Sequence, residues 1–335
     1  MKRCKNPKEE IFEGEKQVSG LQDFDKSKIC FISARLRGSD YWYDAVNLGG
    51  YTAVIPYMDY NLFFRILREL WFRLHLPKES IWYNPQIKKN KAQIYIVRDP
   101  LITTGFLTWL RKEKPDARII LDYDNRAENT IHPASIKAPS IEKWSYDQND
   151  CRDYGMNLKP KGYLDCYRIQ NKEKPLYDIV YVGRDKGRAE EILWIESELR
   201  KIGLHTCFRI SPDRAFLLLK KKFYQPVISY REYLTLIAKS RAILNIMPEG
   251  QKSITMRDYE AVFDGIKCIT NNAAIKEFEL YHPSRFFILQ HDLSNIADIT
   301  DFLKETFKEV DDSELEKYKF DHMIYKMTEE NLGKK

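Results

Sequence analysis

Short apolar runs alternate along the chain with longer segments in which apolar residues recur every three or four positions. The short runs predict strands at 29–33, 51–57, 93–97, 118–121, 178–182, 204–210, 242–247 and 267–270. The periodic segments predict helices at 61–75, 101–112, 187–201, 230–239, 255–264, 296–307 and 312–318. Because strands and helices alternate, the sequence predicts parallel sheets covered by helices.

The alternation is interrupted by the polar segment 171–177 (NKEKPLY) and restarts at Asp178. We therefore predict an α/β fold with two Rossmann-like, doubly wound domains and a cleft between them. The predicted divisions are a charged extension at 1–27, a first domain at 28–170, a second domain at 178–295, and C-terminal helices at 296–335 that pack back across the junction.

Composition narrows the class of protein. Hydrophobic residues make up 43% of the 335 residues, which is enough for packed cores. The net charge of +6 is small and dispersed, so it does not argue for nucleic acid, although it suits an anionic ligand or membrane surface. The six cysteines lack metal or disulfide spacing. No apolar run reaches 18 residues and 1–27 lacks a signal-peptide core, so we expect a cytoplasmic protein without structural metal.

The segment 251–272 (QKSITMRDYEAVFDGIKCITNN) combines a polar run, a short helix and an apolar strand. Thr255 and Asp258 have the spacing of a capping box, and Arg257 and Glu260 share a helix face. A helix N-terminus offers N–H groups to a phosphate, and a carboxylate one turn later can accept hydrogen bonds from sugar hydroxyls. An ordinary capped surface helix is the alternative. The candidate binding residues are Gln251, Ser253, Thr255, Arg257 and Glu260.

A second candidate, 181–188 (YVGRDKGR), directly follows the first strand of the second half. Gly183 permits a tight exit from the strand and Gly187 opens the next helix with little bulk. Arg184, Lys186 and Arg188 would place three cations where ligands bind in open α/β sheets, although a solvated charged turn is the alternative. Both candidates follow strands of one sheet. The chain has neither a GxGxxG fingerprint nor a P-loop, which disfavours a dehydrogenase or an NTPase.

The first half carries weaker candidates. Asp99 follows one strand, Asp124 follows another and His132 lies nearby, so each is a candidate general base, with capping or solvent contact as the alternative. The helix at 61–75 (NLFFRILRELWFRLH) has arginines between its apolar residues. It is either a core-facing helix or a basic amphipathic helix at a membrane surface.

These motifs resemble the C-terminal donor domain of GT-B glycosyltransferases. VGRDKG is similar to that family's GR…KG loop, and EAVFDGIKCITNN is similar to its EAMA-x-G-x-PV helix and strand. The resemblance implies that Arg184 and Lys186 hold the donor diphosphate and that Glu260 holds the donor ribose.

Residues 140–290 more closely resemble a bacterial family of lipopolysaccharide or capsular polysaccharide biosynthesis proteins, through WSYDQNDCRDYGM, YDIVYVGRDKGR and YREYLTLIAKSRAILNI. Two departures matter. Ser253 replaces a glycine of that family, and Lys252 stands where the GT-B pattern has its first glutamate, so retaining stereochemistry is not carried over.

The resemblance implies a glycosyltransferase that moves a sugar from a nucleotide-sugar co-substrate to a lipid-linked surface glycan. The second domain would bind the donor and the first the acceptor, at the inner face of the plasma membrane. No cofactor or metal is expected, and Asp122-Tyr123-Asp124 is interpreted as a coincidence or an acceptor-side element rather than a metal site. The alternatives are another transferase, such as a pyruvyltransferase, or a non-catalytic nucleotide- or glycan-binding subunit.

Overall fold

The computed structural model describes residues 24–34, 40–58, 61–160, 162–169, 174–214, 217–218, 221–248 and 253–328. The chain divides into two compact units. The N-terminal unit contains the described residues up to Gly162 together with 320–328, and the C-terminal unit contains the described residues of 163–319. Most of the predicted 1–27 extension, residues 171–173 of the predicted linker, and Gln251 lie outside the described residues.

The N-terminal unit is built on a six-stranded parallel sheet in the order β2-β1-β3-β4-β5-β6. Its strands are β1 (Ile29–Ile32), β2 (Thr52–Val54), β3 (Ile94–Arg98), β4 (Arg118–Tyr123), β5 (Ile141–Ser145) and β6 (Asn157–Leu158). Its helices are α1 (Asp40–Leu48), α2 (Leu62–Arg73), α3 (Gln86–Lys89), α4 (Thr104–Glu113), α5 (Gln148–Tyr154) and α11 (Phe320–Thr328).

Hydrophobic burial holds this unit together. All four residues of β1 are buried, and so are the five residues of β4 after Arg118, as expected for central strands with helices on both faces. Arg118 fixes the last helix, because its guanidinium donates to the backbone carbonyls of Met327, at 2.8 Å, and Thr328. Asp321 adds a 2.6 Å ion pair with Lys26.

The C-terminal unit is built on a five-stranded parallel sheet in the order β11-β10-β9-β7-β8. Its strands are β7 (Tyr177–Arg184), β8 (Thr206–Ser211), β9 (Ser240–Asn245), β10 (Lys267–Thr270) and β11 (Phe286–Ile288). Its helices are α6 (Ala189–Lys201), α7 (Tyr230–Ala238), α8 (Met256–Phe263), α9 (Ile299–Lys304) and α10 (Asp312–Leu315).

Both predicted capping boxes are present. Ser229 with Glu232 begins α7, and Thr255 with Asp258 begins α8. The predicted fold class of two Rossmann-like parallel sheets is confirmed. The strand predictions omitted β5, in which two of the five residues are charged, and the short strands β6 and β11. Among the described residues, no helix has both the length and the apolar character needed to cross a membrane.

Each sheet reverses its winding direction once. In the N-terminal unit the reversal lies between β1 and β3, and in the C-terminal unit it lies between β7 and β9. Loops that follow the two strands at such a point diverge to opposite faces and leave a crevice, where open α/β sheets bind ligands. The crevice of the C-terminal unit is bordered by the loops after Arg184 and Asn245.

Candidate functional site

The loop after β7 is a tight reversal between the strand and α6. Lys186 and Gly187 both have positive φ angles, of 46° and 78°. Asp185 braces this turn. One of its carboxylate oxygens accepts the Ala189 N–H at 2.8 Å, and the other accepts the Tyr224 hydroxyl at 2.5 Å. Burial opposes ionisation, but these hydrogen bonds lower the pKa of Asp185, so a carboxylate holds the loop in place.

Arg188 is committed to the protein itself. Its guanidinium donates to the carbonyl of Ile246, after β9, and to those of Asp185 and Arg184, at 3.4 and 3.3 Å. The side chain therefore ties together the two loops that border the crevice. It positions the loops while leaving its positive charge at the site.

Arg184 and Lys186 are exposed beside Arg188. The Lys186 N–H donates to the Asp213 carboxylate at 3.0 Å, which fixes the backbone and leaves the ammonium group outward. Partial burial and the positive charges of Arg188 and Arg257 lower the pKa of Lys186. Burial is the largest cause of this shift, the neighbouring arginines add to it, and Asp213 opposes it. Four basic side chains (Arg184, Lys186, Arg188 and Arg257) thus share the crevice with two carboxylates (Asp185 and Asp213), which leaves an excess of positive charge.

Arg257 and Gly183 lie against a buried hydroxyl. Tyr181 is fully buried, and its hydroxyl has no hydrogen-bond partner among the described residues. A Cβ at Gly183 would lie 2.7 Å from that hydroxyl and 3.2 Å from Nη2 of Arg257, so only glycine fits there. The Arg257 guanidinium donates to the carbonyl of Val182 and lies 5.5 Å from the Tyr181 ring centroid. An unsatisfied donor and a guanidinium therefore meet directly beneath the loop.

Glu260 points into the protein in this structure. It is 2% exposed, and its two carboxylate oxygens accept the hydroxyls of Tyr230 at 2.7 Å and Tyr233 at 2.6 Å. Burial raises its pKa, although both hydrogen bonds and Arg257 oppose the shift. A donor ribose could reach this buried carboxylate only if the surrounding side chains moved, so Glu260 holds α8 against α7 here.

Thr255 has a similar internal role. Its hydroxyl accepts from the Asn245 amide at 3.0 Å and donates to Asp258 at 2.9 Å. Burial raises the pKa of Asp258, against the hydrogen bonds that it accepts. Ser253 is partly exposed just before the helix. The structure thus brings five of the predicted donor-binding residues together. Gly183, Arg184, Lys186 and Arg188 lie at the end of β7 or in the loop after it, and Arg257 donates to the carbonyl of Val182 in the same strand.

A cavity of about 90 Å³ opens at the carboxyl ends of β9, β10 and β11. Ile195, Ile246 and Leu289 give it apolar walls, and Asn271 and His291 add polar groups. Trp194, from the second turn of α6, lines it and is 42% exposed. Because Ile246 also accepts a hydrogen bond from Arg188, this cavity adjoins the cationic loop.

The N-terminal unit has its own polar cluster at the carboxyl ends of β3 and β4. Lys159 forms ion pairs with both Asp122 and Asp124, the latter at 3.2 Å. Arg98 pairs with Asp124 and stacks on the ring of Trp42, 3.8 Å from its centroid. Despite burial, Arg98 and Lys159 lower the pKa of Asp124, which makes it a weak base. Two cations thus neutralise the Asp-x-Asp pair.

The other two candidate general bases, Asp99 and His132, differ in burial and in their hydrogen-bond partners. Asp99 is fully buried and accepts the Asp124 N–H at 2.7 Å and the Asn125 amide at 3.1 Å. Burial and the nearby Asp124 charge raise its pKa to about 6. His132 is exposed and caps a short turn, where Nδ1 accepts the Ala134 N–H at 3.2 Å. Asp99 therefore belongs to the polar cluster, whereas His132 has a local capping contact.

Comparison with solved structures identifies the fold. A glycosyltransferase from Rickettsia africae ESF-5 is 13% identical, with a TM-score of 0.53 over 92% of this chain and 99% of that chain. The UDP-GlcNAc 2-epimerase of Methanocaldococcus jannaschii, in complex with UDP-GlcNAc and UDP, is 12% identical, with a TM-score of 0.47 over 84% and 94%. The sequence matches no protein-family model and no curated protein. The chain therefore has a glycosyltransferase-like fold of the GT-B type.

Sequence reasoning missed several residues of the site. Asp185 lies inside the VGRDKG motif, but the sequence predicted roles only for the basic residues and glycines of that motif. Tyr230 and Tyr233, the hydrogen-bond partners of Glu260, are three residues apart and so share one face of α7. Their contact with Glu260 can be predicted only when α7 is known to pack on α8. Trp194 has one usable sequence feature, because it is a large aromatic residue in a helix whose other exposed positions are mostly charged or polar. Lys159 has none.

Proposed function

We propose that this protein is a glycosyltransferase that uses a nucleotide-sugar donor and a lipid-linked surface glycan as acceptor. The observation that carries the proposal is the excess of positive charge at the crevice of the C-terminal unit. There, Arg184 and Lys186 extend from a loop braced by Arg188, above a buried and unpartnered Tyr181 hydroxyl. An anion with several oxygen acceptors fits this arrangement.

In this proposal Arg184 and Lys186 bind the donor diphosphate directly and stabilise it as a leaving group. Arg257 and Tyr181 lie beneath and supply further donors. Arg188 acts as a positioning residue, because its guanidinium already donates to three backbone carbonyls. Ser253 would border the same crevice, and a contact of Gln251 with the donor stays a prediction from the sequence. Glu260 contributes by fixing α8, and its contact with the donor ribose stays a prediction.

The acceptor would bind the N-terminal unit at the carboxyl ends of β3 and β4. Asp124 keeps 24% of its side chain exposed there, whereas Asp99 is enclosed. The polar cluster supports a metal-independent reaction, because Lys159 and Arg98 already supply the positive charge that a divalent ion would bring to Asp122 and Asp124.

The first prediction concerns the diphosphate. The double substitution Arg184→Ala with Lys186→Ala should weaken binding of nucleoside diphosphates by about a hundredfold, because each charge-assisted hydrogen bond contributes about 1.5–3 kcal/mol. Calorimetric titration with UDP, GDP and CDP measures the effect. Lys201→Ala is the matched control, since Lys201 is exposed at the opposite end of α6.

Unchanged nucleotide affinity in the double variant would contradict this site. Loss of wild-type binding in EDTA, with recovery in Mn²⁺, would contradict the metal-independent proposal and favour Asp122 and Asp124 as ligands. Transfer of a labelled sugar from the bound nucleotide to a lipid-linked acceptor tests the reaction itself. Binding without turnover favours a non-catalytic subunit, and turnover that needs phosphoenolpyruvate favours a pyruvyltransferase.

We propose that the cavity beside Trp194 holds the nucleobase of the donor. Trp194→Ala should weaken binding of UDP by about tenfold or more, because stacking of a base on an aromatic ring contributes about 1–3 kcal/mol. Binding of inorganic pyrophosphate should not change, since it lacks a base. Val227→Ala, at a residue of the same unit with 45% exposure, serves as control. Equal losses for UDP and pyrophosphate would place the base elsewhere.

A further inference from the structure

Helix α2 turns its apolar side away from the protein. Leu62 is 71% exposed, Phe63 is 68% exposed and Leu74, directly after the helix, is 65% exposed. At 3.6 residues per turn, six of the outward apolar residues fall within an arc of about 140°, and Phe64, which is 42% exposed, lies about 60° beyond one edge of it. We name this surface the α2 strip; it consists of Leu62, Phe63, Ile66, Leu67, Leu70 and Leu74. A core-facing helix would bury this arc, so that interpretation of the sequence is wrong.

The opposite side of α2 fixes the helix to the N-terminal unit. Arg68 is buried there, with its guanidinium 4.8 Å from the ring centroid of Tyr57. Phe72 packs on the core, and the Trp71 indole donates to the Pro77 carbonyl at 3.1 Å. The helix is therefore held with Arg68 inward and its leucines outward. This orientation is set by several contacts, so the exposure of the α2 strip is built into the fold.

Charge around the α2 strip is mostly positive. Residues 61–78 contain four basic side chains and one acidic one, Glu69, which pairs with Arg68 at 2.8 Å. Arg65, Arg73 and Lys78 are exposed. On the helical wheel Arg73 lies near one edge of the apolar arc and Arg65 lies about 60° outside that edge, and Lys78 follows the helix. An exposed apolar strip, edged by cations that form no ion pair with the described part of the chain, fits a surface that is apolar within and anionic at its rim.

We propose that the α2 strip docks the protein on an anionic phospholipid membrane. Phe63, Ile66 and Leu70 enter the acyl boundary, while Arg65 and Arg73 contact lipid phosphates. The strip spans about 18 Å for twelve residues, so it lies in the interface and does not cross it. This docking rests on the proposed function, because it would bring a lipid-linked acceptor to the N-terminal unit. Vesicle binding can nevertheless be measured without any sugar transfer.

Co-sedimentation of the full chain with vesicles tests this surface. Phosphatidylcholine vesicles with about 30% phosphatidylglycerol should bind the wild type at low salt, and vesicles without the anionic lipid should bind it at least about tenfold more weakly. The triple variant Phe63→Ser, Ile66→Ser and Leu70→Ser should lose about a hundredfold in partitioning. The variant Arg65→Gln with Arg73→Gln should lose about tenfold.

The control is the triple variant Leu48→Ser, Leu158→Ser and Leu176→Ser, which changes three exposed leucines outside the strip. It should bind vesicles like the wild type. UDP affinity, measured without vesicles, separates this proposal from the donor site and should be unchanged in the strip variants. Wild-type binding by the triple variant, or no vesicle binding by the wild type, would overturn the proposal. So would a dimer in sedimentation that the triple variant converts to monomer, because a second copy would then cover the strip.

Discussion

Replacing Glu260 with alanine should lower the free energy of unfolding by about 3–5 kcal/mol. The substitution leaves the hydroxyls of Tyr230 and Tyr233 buried without an acceptor and opens a cavity between α7 and α8. Each unsatisfied buried group costs about 1–3 kcal/mol, and the lost packing adds to that. Urea unfolding followed by circular dichroism measures the change. From sequence alone, a surface glutamate would have been expected to leave stability unchanged.

Glu260→Gln separates hydrogen bonding from charge. Glutamine keeps the shape and one acceptor oxygen, so we expect a loss of about 1 kcal/mol. Glu190→Ala, on the exposed side of α6, is the control and should remain within about 0.5 kcal/mol of the wild type. If Glu260→Ala melts like the wild type but no longer binds nucleotide, the carboxylate faces the ligand and the buried arrangement seen here is not the binding state.

The case of Glu260 illustrates what periodicity can and cannot predict. Spacing correctly placed Arg257 and Glu260 on one helix and predicted the capping box at Thr255. It could not predict burial, because α8 is enclosed on all sides from Asp258 to Phe263. Polar residues on such a helix form hydrogen bonds inside the protein, and their partners depend on which helix packs opposite. The local sequence of α8 does not indicate which helix that is.

Helix α2 presents the opposite case. Its apolar periodicity is as clear as that of any core helix, and sequence left open whether the apolar side faces a core or a membrane. Arg68 decides the question in three dimensions, because its stacking on Tyr57 turns the remaining arc outward. Tyr57 lies before the helix in the sequence, outside its periodic pattern, so the spacing of residues within the helix does not predict this contact. The position of the helix was predictable, whereas its orientation was not.

The parallel sheets were predictable because their central strands are continuous apolar runs. β5 (IEKWS) escaped prediction because two of its five residues are charged, and β6 has only two residues. Both segments are strands because they pair with the edge of the sheet: β5 pairs with β4, and β6 pairs with β5. The end of β6 brings Lys159 to Asp122, 37 residues away along the chain. This contact determines the character of the polar cluster and leaves no motif in the sequence.

Replacing Lys159 with methionine should lower the free energy of unfolding by about 3–5 kcal/mol at pH 8. Methionine keeps most of the apolar stem but leaves the buried Asp122 without its cation and weakens the neutralisation of Asp124. Burial already raises the pKa of Asp122 in the folded protein, against the opposing effect of Lys159. Removing the ammonium should raise that pKa further. Lys112→Met, at an exposed position on α4, is the control for the change in side chain.

The loss should depend on pH with a definite sign. A carboxyl group whose folded pKa lies above its unfolded value binds its proton more tightly when folded, so its cost appears as pH rises through the folded pKa. Unfolding measured at pH 5 should therefore show a smaller loss for Lys159→Met than unfolding at pH 8. Adding Asp122→Asn to Lys159→Met should recover at least about half of the loss at pH 8, because the buried charge is removed. A loss that is the same at both pH values, or no recovery in the double variant, would mean that Lys159 acts through packing. The aspartates would then lack their proposed internal counter-ion, and a metal at Asp122 and Asp124 would become the better explanation of the pair.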